Sequence, residues 1–268
     1  MIACSVLGVG VCGPGLADWA AARQVLSGAS AYVRSDNAAP SSRLLPPAER
    51  RRATPATRVA LTAAQQALDH AGLDATQVPA VFASSSGNPD IIHDICAMLA
   101  AGDYQISPTK FHNSVHNAAS GYYSIAVASH RAVTSLCAFD GSATAGLLEA
   151  AVQAIAADAP VLMVSYDLPY PFPLSQARPM IDAWALALVL APPTFRPAMA
   201  QLTLTNGGTG AEKDVDTVLS DPLLESIRAG NPTARMLPLI AALAAPQPSE
   251  VVLRQGNGDT LRVATVPC

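Results

Sequence analysis

Apolar residues alternate along this chain between short continuous runs and runs with helical spacing. Residues 2 to 11 form an apolar run that ends at the Gly13-Pro14-Gly15 turn, and apolar positions then recur with helical spacing from 16 to 27. The same alternation up to residue 168 predicts strands at 78–83, 132–138 and 161–167 and helices at 57–71, 91–101, 121–131 and 142–157. Strands that alternate with helices predict a layered α/β fold with a mainly parallel sheet.

The pattern changes after residue 168, where prolines 169, 171 and 173 interrupt the chain. The remaining sequence predicts strands at 183–190 and 199–205, helices at 216–228 and 233–245, and a closing antiparallel pair at 251–254 and 260–266. Residues 34–54 are rich in proline, serine and arginine, so we expect a long irregular loop there.

Composition predicts a globular chain with a partly covered surface. Its 268 residues are enough to bury a substantial core, and we expect one compact domain over residues 1–268. Hydrophobic residues make up 50% of the chain and charged residues only 13%, against roughly 25% in soluble domains. So few charges favour burial of part of the surface against a partner subunit. The alternative is an alanine-rich chain with ordinary exposure.

Charge and cysteine usage exclude several classes of protein. A net charge of -4 and a pI near 5.7 argue against nucleic acid as a partner. The five cysteines are scattered and show neither a CxxC motif nor a metal-ligand spacing, so a reduced, cytoplasmic protein is expected. No apolar run reaches the ~18 residues that span a bilayer, and no transmembrane segment is predicted.

The segment 107–123 gathers more polar side chains than any other part of the sequence. His112 and His116 are four residues apart, as a helical metal pair would be, but no third ligand has a matching spacing. Asn113 and Asn117 share that spacing, and such a set can satisfy buried backbone groups or bond across a subunit boundary. We therefore predict a structural or interface role for this segment and no metal.

The same segment carries a family resemblance, together with two stretches that follow it. The first is the run Phe111-His112-Asn113-Ser114-Val115-His116-Asn117, and the others are Asp140-Gly141-Ser142-Ala143 and residues 161–167. The sequence over 1–200 resembles the N-terminal half of β-ketoacyl synthases, and in particular the short β-ketoacyl-synthase-like proteins of aryl polyene clusters, which act like chain length factors. The resemblance implies an α/β fold of the thiolase-like, layered αβαβα type with a shortened second half.

The resemblance also implies that this chain lacks catalytic residues. Active members carry a nucleophilic cysteine at the start of the helix after the strand, a place that falls on Gly141 or Ser142 here. Cys137 lies earlier, inside the predicted strand, where we expect a buried side chain. Active members also carry two histidines in their second half, whereas no histidine follows His130 in this sequence. A chain without these groups is not expected to condense acyl units alone, and no cofactor is expected.

A non-catalytic partner subunit is the function that this resemblance implies. The partner is a full-length β-ketoacyl synthase in a heterodimer, which acyl carrier protein reaches through the complex. The segment 107–124 then borders the partner's acyl tunnel and sets chain length by bulk. The expected interface or tunnel residues are Lys110, Phe111, His112, Asn113, Val115, His116, Asn117, Tyr122 and Tyr123.

Two other functions stay open at this point. One is a stand-alone acyltransferase or thioesterase that uses Ser142 or Cys137 with His116 or His130 as base. Against Ser142, the sequence around it lacks the second glycine of a G-x-S-x-G elbow and no histidine follows it, so a helix N-cap is the simpler role for Ser142 or Asp140. The other function is a structural homodimer that keeps the fold and binds an acyl ligand or nothing.

Overall fold

The computed structural model describes residues 1–35, 43–207 and 214–268. Its strands are β1 Ile2–Cys12, β2 Ala80–Ala83, β3 Val133–Leu136, β4 Val161–Asp167, β5 Trp184–Ala191, β6 Ala200–Asn206, β7 Ser249–Arg254 and β8 Thr260–Pro267. The α-helices of this described part are α1 Trp19–Leu26, α2 Pro47–Arg52, α3 Pro55–Ala71, α4 Pro89–Ala100, α5 Pro108–Ser114, α6 Ala118–Ala126, α7 Ser142–Ala157, α8 Leu174–Ala177, α9 Pro222–Gly230 and α10 Leu237–Ala244. Short 3-10 turns cover Ala75–Gln77, Thr233–Met236 and Gly256–Gly258.

The strands form one sheet in the order β3-β2-β4-β5-β1-β6-β8-β7. Only the pairs β2 with β3 and β2 with β4 are parallel, and every other pair is antiparallel. The prediction of a mainly parallel sheet is therefore wrong. Helices separate β2, β3 and β4 along the chain and return each strand in the same direction, whereas the connection from β4 to β5 contains only the four-residue α8.

Helices cover both faces of this sheet. The alternate residues of β5 pack against different helices on the two faces. Trp184, Leu186, Leu188 and Leu190 pack on the side of α7 and α10, while the alternate residues Ala185, Ala187, Val189 and Ala191 pack on the side of α3 and α6. Both sets are buried. A strand covered on two faces explains the continuous apolar run that the sequence shows there.

Helix α3 lies directly against β1, and both of its ends follow from local sequence. Thr54 caps its start by accepting a hydrogen bond from the Thr57 N–H, and Gly72 ends it in the left-handed conformation at φ 64°. Glycines 8 and 10 of β1 allow the close approach, because a Cβ on Gly10 would lie 2.0 Å from the Ala63 carbonyl oxygen. The prediction of a helix at 57–71 is confirmed.

Three shorter helices were not predicted from the sequence. Helices α2, α5 and α8 all lie in segments that contain proline, each of them beginning at or directly after one. The helix predicted at 216–228 begins only at Pro222, after the Asp221 side chain accepts from the Leu223 and Leu224 N–H groups. The part of the predicted 34–54 loop that covers 36–42 lies outside the described residues.

Within the described ranges, none of the helices combines the length and the apolar character that crossing a bilayer requires.

Candidate functional site

Residues 137–141 connect β3 to α7 in a sharp turn, which we call the elbow. Phe139, at its centre, adopts a left-handed backbone conformation with φ 51°, which is rare for a bulky residue. The Ser142 hydroxyl fixes the turn, since it accepts from the Ala138 N–H at 2.9 Å and donates to the Phe139 carbonyl at 2.6 Å. Ser142 is thus a local brace of the elbow at the first turn of α7.

A groove of about 430 Å³ opens in front of the elbow. Its size is within the range of small-molecule sites. Phe139 is 62% exposed and projects toward it. The lining residues are Ala138, Phe139, Asp140, Gly141, Arg235, Arg254, Gln255, Gly256 and Gly258.

Two arginines from distant segments hold the elbow through Asp140. Arg178, just after α8, makes an ion pair with the Asp140 carboxylate at 2.6 Å, and Arg235 makes a second at 3.2 Å. The Arg178 guanidinium also lies over the Phe139 ring, 3.9 Å from its centroid, and 5.7 Å from that of Tyr170. The elbow, the segment after β4 and the turn before α10 therefore meet at one cluster.

Neither predicted nucleophile position can present a side chain to this groove. A Cβ on Gly141 would lie 2.5 Å from the Gly256 backbone nitrogen, and Ser142 is fully buried with its hydroxyl engaged. The buried and engaged Ser142 hydroxyl does not line the groove, which argues against the open alternative of catalysis by a Ser142 nucleophile. The prediction that Ser142 or Asp140 is the N-cap of α7 is wrong, because Gly141 is the N-cap residue and no side chain caps the helix.

Cys137 differs from its prediction as well. It was expected inside a buried strand, but β3 ends at Leu136 and the Cys137 side chain is exposed. Its thiol donates to the Ser85 carbonyl at 3.6 Å, and the His116 Nε2 lies 3.0 Å from the neighbouring Ser84 carbonyl. His130, in contrast, precedes β3 and so lies at the opposite end of that strand.

A buried carboxylate anchors the loop that carries these two carbonyls. Asp167, the last residue of β4, is fully buried and accepts hydrogen bonds from the Ser85 N–H at 2.9 Å and from the hydroxyls of Ser84, Ser85 and Thr233. Burial raises the pKa of Asp167, while these donors act in the opposite direction. Sequence reasoning missed this network. The signal in the sequence that could have indicated it is the aspartate at the end of a mainly apolar strand.

The segment 107–123 folds into α5 and the start of α6. The helix α5 ends at Ser114, so His112 and His116 do not lie on one helix, and no group of three potential metal ligands occurs within the described ranges. Lys110 pairs with Asp94 at 2.8 Å. Phe111 and Val115 are exposed, as is Ile125 at the end of α6.

The two asparagines of this segment have different environments. Asn113 is buried, and its side-chain NH2 donates weakly to the Arg52 carbonyl at 3.4 Å. Its backbone carbonyl accepts a hydrogen bond from the Asn88 side-chain amide at 2.9 Å. Asn117 is exposed and its side chain makes no capping hydrogen bond at the start of α6. The Asn113 side chain thus reaches one backbone carbonyl, that of the exposed Arg52, while its own buried side-chain oxygen has no hydrogen-bond partner among the described residues.

Tyr122 and Tyr123 point into the chain's own core. Tyr123 packs against Phe82 with ring centroids 5.4 Å apart, and the Tyr122 ring meets the exposed His112 ring edge-on at 5.8 Å. Burial raises the pKa of both phenols. Both side chains are buried in the isolated chain, and Tyr122 also borders a surface pocket that His112 and Ile125 line.

The two edges of the sheet differ in how they are covered. The edge strand β7 is covered by the segment before α9, where the Thr217 N–H donates to the Val252 carbonyl and the Val252 N–H donates to the Thr217 hydroxyl. The other edge strand, β3, pairs only with β2 among the residues that the structure describes. Unpaired backbone groups on an exposed edge are a template for another chain.

Comparisons with known proteins agree with this geometry. The family model for the β-ketoacyl synthase N-terminal domain matches residues 19–247, while a search of curated proteins found no match. One similar structure is the ketosynthase ApeO in complex with its chain length factor ApeC from Xenorhabdus doucetiae, at 20% identity and a TM-score of 0.72, covering 98% of this chain and 100% of that one.

Two further structures have the same fold at lower identity. The ishigamide ketosynthase/chain length factor has 13% identity and a TM-score of 0.71, with 100% of this chain and 99% of that chain covered. A β-ketoacyl synthase from Burkholderia phymatum has 12% identity and a TM-score of 0.71, with both chains fully covered. These likenesses confirm the predicted thiolase-like fold, and the family match over most of the sequence shows that the chain belongs to the β-ketoacyl synthase family.

Proposed function

We propose that this chain is a non-catalytic subunit, similar to a chain length factor, that pairs with a complete β-ketoacyl-acyl-carrier-protein synthase. The pair acts in aryl polyene biosynthesis or in a related pathway of polyketide or fatty-acid type. The growing acyl chain stays on the partner's cysteine and on carrier protein. This subunit contributes shape to the tunnel and no bond-making group.

The observation that carries this proposal is the composition of the elbow. Phe139 is the exposed side chain that the elbow places in the groove wall, and the carboxylate of the neighbouring Asp140 is engaged by Arg178 and Arg235. Acyl transfer needs a nucleophile and a proton acceptor within hydrogen-bond reach of each other. The groove lining of Phe139, Asp140, two arginines, Gln255 and small residues supplies no such pair.

The sheet edge supports the choice of a partner subunit over a monomer. Helix α6 packs against the edge strand β3, and α5 packs against α6. Phe111 of α5, Val115 just after it and Ile125 of α6 are exposed apolar side chains in this region. With 13% charged residues, a covered β7 edge and, over the described ranges, no second strand on β3, the chain is suited to a protein partner on the β3 side. Similar folds occur in complexes described as ketosynthases with chain length factors, and one includes an acyl carrier protein.

We expect a charge on this surface to break the complex. In Ile125→Asp the carboxylate would have to be desolvated on assembly, so affinity for the co-expressed synthase should fall at least tenfold, as measured by affinity co-purification and by surface plasmon resonance. The matched control is Val215→Asp, another exposed valine or isoleucine position that lies in the segment covering the opposite sheet edge. It should bind as the unmodified chain does.

The isolated chain supplies the second arm of this experiment. Incubated with acyl and malonyl carrier protein, it should show no covalent adduct by intact mass spectrometry. Stoichiometric acylation lost in Cys137→Ser would overturn the proposal and favour the thioesterase or acyltransferase alternative. Equal homodimer and heterodimer formation would favour the structural homodimer.

Chain length gives a separate prediction. Phe111 is 65% exposed on α5, and removal of its ring in Phe111→Ala should lengthen the products by one or more two-carbon units if the ring closes the partner's tunnel. Products of the reconstituted complex are compared by mass spectrometry. Phe172→Ala removes an equally exposed phenylalanine from the segment after β4 and should leave product length unchanged. Unchanged length for Phe111→Ala in an assembled complex would remove Phe111 from the tunnel.

A further inference from the structure

We infer that helix α4 is a docking element, and that the synthase partner of the proposed function covers the apolar stripe along its outer face. The stripe consists of Ile92, Cys96 and Leu99. These residues have the i, i+4, i+7 spacing that places side chains on one face of a helix, and all three are exposed. An amphipathic helix normally turns such a stripe toward the core of its own protein.

The chain's own packing does not account for the apolar character of α4. Of its twelve residues, all within the described part of the chain, only Pro89 is buried. Neither hydrophobic core of the described residues includes a residue of this helix, which packs chiefly against α5. A helix of this length is marginal in water by itself and gains most of its stability from tertiary packing. The outer stripe therefore lacks a packing partner within the described chain.

The charges on α4 favour a protein over a lipid surface as the occupant. The helix carries two acids, Asp90 and Asp94, and no lysine or arginine. Amphipathic helices that lie on membranes are rich in basic residues, which anionic lipids attract. Asp94 pairs with Lys110 of α5 at 2.8 Å, which leaves the stripe beside it without a positive charge of its own. A groove of a protein that receives an i, i+4, i+7 stripe is the matching occupant.

The size of the stripe indicates which protein covers it. A helix of twelve residues is about 18 Å long, so the stripe alone is too small for the roughly 800 Å² that each partner buries in a stable complex. Helix α5 packs against both α4 and α6, so the three helices form one contiguous body. The stripe thus extends the partner surface proposed for Phe111, Val115 and Ile125.

The unmodified chain carries the probe that tests this inference. The Cys96 thiol lies in the stripe, and the exposed Cys268 follows β8, toward the sheet edge opposite to β3. Both thiols are alkylated with N-ethylmaleimide in the isolated chain and in the purified complex with the co-expressed synthase, and the labelled peptides are quantified by mass spectrometry. The rate at Cys96 should fall roughly tenfold or more on assembly, because contacts at an interface exclude solvent and reagent. The rate at Cys268 should not change.

The inference rests on the proposed function for the identity of the partner, and the experiment separates the two. A complex that co-purifies while Cys96 keeps its free rate would overturn the inference and leave the proposed function standing. Failure to co-purify would overturn both. Protection of Cys96 already in the isolated chain, with Cys268 reactive, would show that a second copy covers the stripe and would overturn the inference as well.

A lipid occupant is tested with vesicles of phosphatidylglycerol and phosphatidylethanolamine. The isolated chain should not sediment with them. Sedimentation that protects Cys96 from alkylation would assign the stripe to a lipid surface and overturn the inference.

Ile92→Ala separates docking from folding. Ile92 is 40% exposed and lies outside both cores, so the urea midpoint of the isolated chain should stay the same. The Kd for the synthase should rise roughly fivefold or more, because the truncation removes an anchor of the stripe. Val152→Ala is the matched control, since Val152 is 45% exposed in the middle of α7, and it should change neither quantity. A lower urea midpoint with unchanged Kd would assign Ile92 to the chain's own packing and overturn the inference.

Discussion

Substitution Gly10→Ala is expected to destabilise this protein by roughly 3 kcal/mol or more, a large part of the 5–15 kcal/mol typical of folded domains. The added methyl would lie 2.0 Å from the Ala63 carbonyl oxygen and 2.9 Å from the Ala67 nitrogen. Both atoms belong to the backbone of α3, so no side chain can rotate away. The helix must move off β1 and disturb a core that also includes β5.

The measurement is urea denaturation followed by circular dichroism. Gly121→Ala is the matched control, because Gly121 lies inside α6 with open space around its Cβ position. Alanine is the better helix former by about 1 kcal/mol, so this control should be as stable as the unmodified chain or more so. A Gly10→Ala midpoint within error of the control would show that α3 is not fixed on the sheet as described.

This packing illustrates how much of the fold the sequence could predict. The extent of α3 follows from residues close together in the chain, namely the Thr54 cap, the apolar spacing and Gly72. The positions of most strands could be predicted in the same way, because a run of apolar residues close together in the chain marks each of them. The direction of pairing was not found, because whether β5 lies antiparallel between β4 and β1 depends on contacts between residues far apart in sequence.

The sequence shows which residue types occur near the candidate site, but it does not show which of their side chains face the groove. The sequence shows no cysteine at the head of α7, and the structure adds that Gly141 faces the Gly256 backbone and that Ser142 is buried. A periodicity of apolar residues marks where α7 begins, but it gives no sign that the three residues before it turn Phe139 outward. Similarly, Tyr122 and Tyr123 occur in a polar stretch, and only the packing of α6 on β2 and β3 reveals that both are buried.

The second large effect is expected at Asp167. In Asp167→Ala, four hydrogen-bond donors from Ser84, Ser85 and Thr233 lose their acceptor inside the protein, and each unsatisfied buried group costs about 1–3 kcal/mol. We expect a loss of roughly 3 kcal/mol or more in urea denaturation. The change should also loosen the Ser84-Ser85 loop, whose carbonyls contact His116 and Cys137, and so raise the alkylation rate of Cys137.

Asp167→Asn separates hydrogen bonding from charge at the same site. Its amide oxygen can keep the serine donors, and its NH2 group can donate to the Thr233 hydroxyl, which then donates to Ser165 at 2.8 Å. We therefore expect near-native stability for this variant, and a loss as large as that of Asp167→Ala would mean that the negative charge itself is required.

The stability of the unmodified protein should depend on pH differently from that of Asp167→Asn, and the direction of the difference follows from the pKa of Asp167. Burial holds the pKa of Asp167 above its value in the unfolded chain, so the folded state retains the proton to higher pH. The stability that comes from the protonated form is fully present below about pH 4, the unfolded pKa, and is lost as pH rises through the folded pKa. Relative to Asp167→Asn, the unmodified protein should thus lose stability upward from about pH 4. A gain over that range would mean that the four donors outweigh desolvation and hold the folded pKa below the unfolded one.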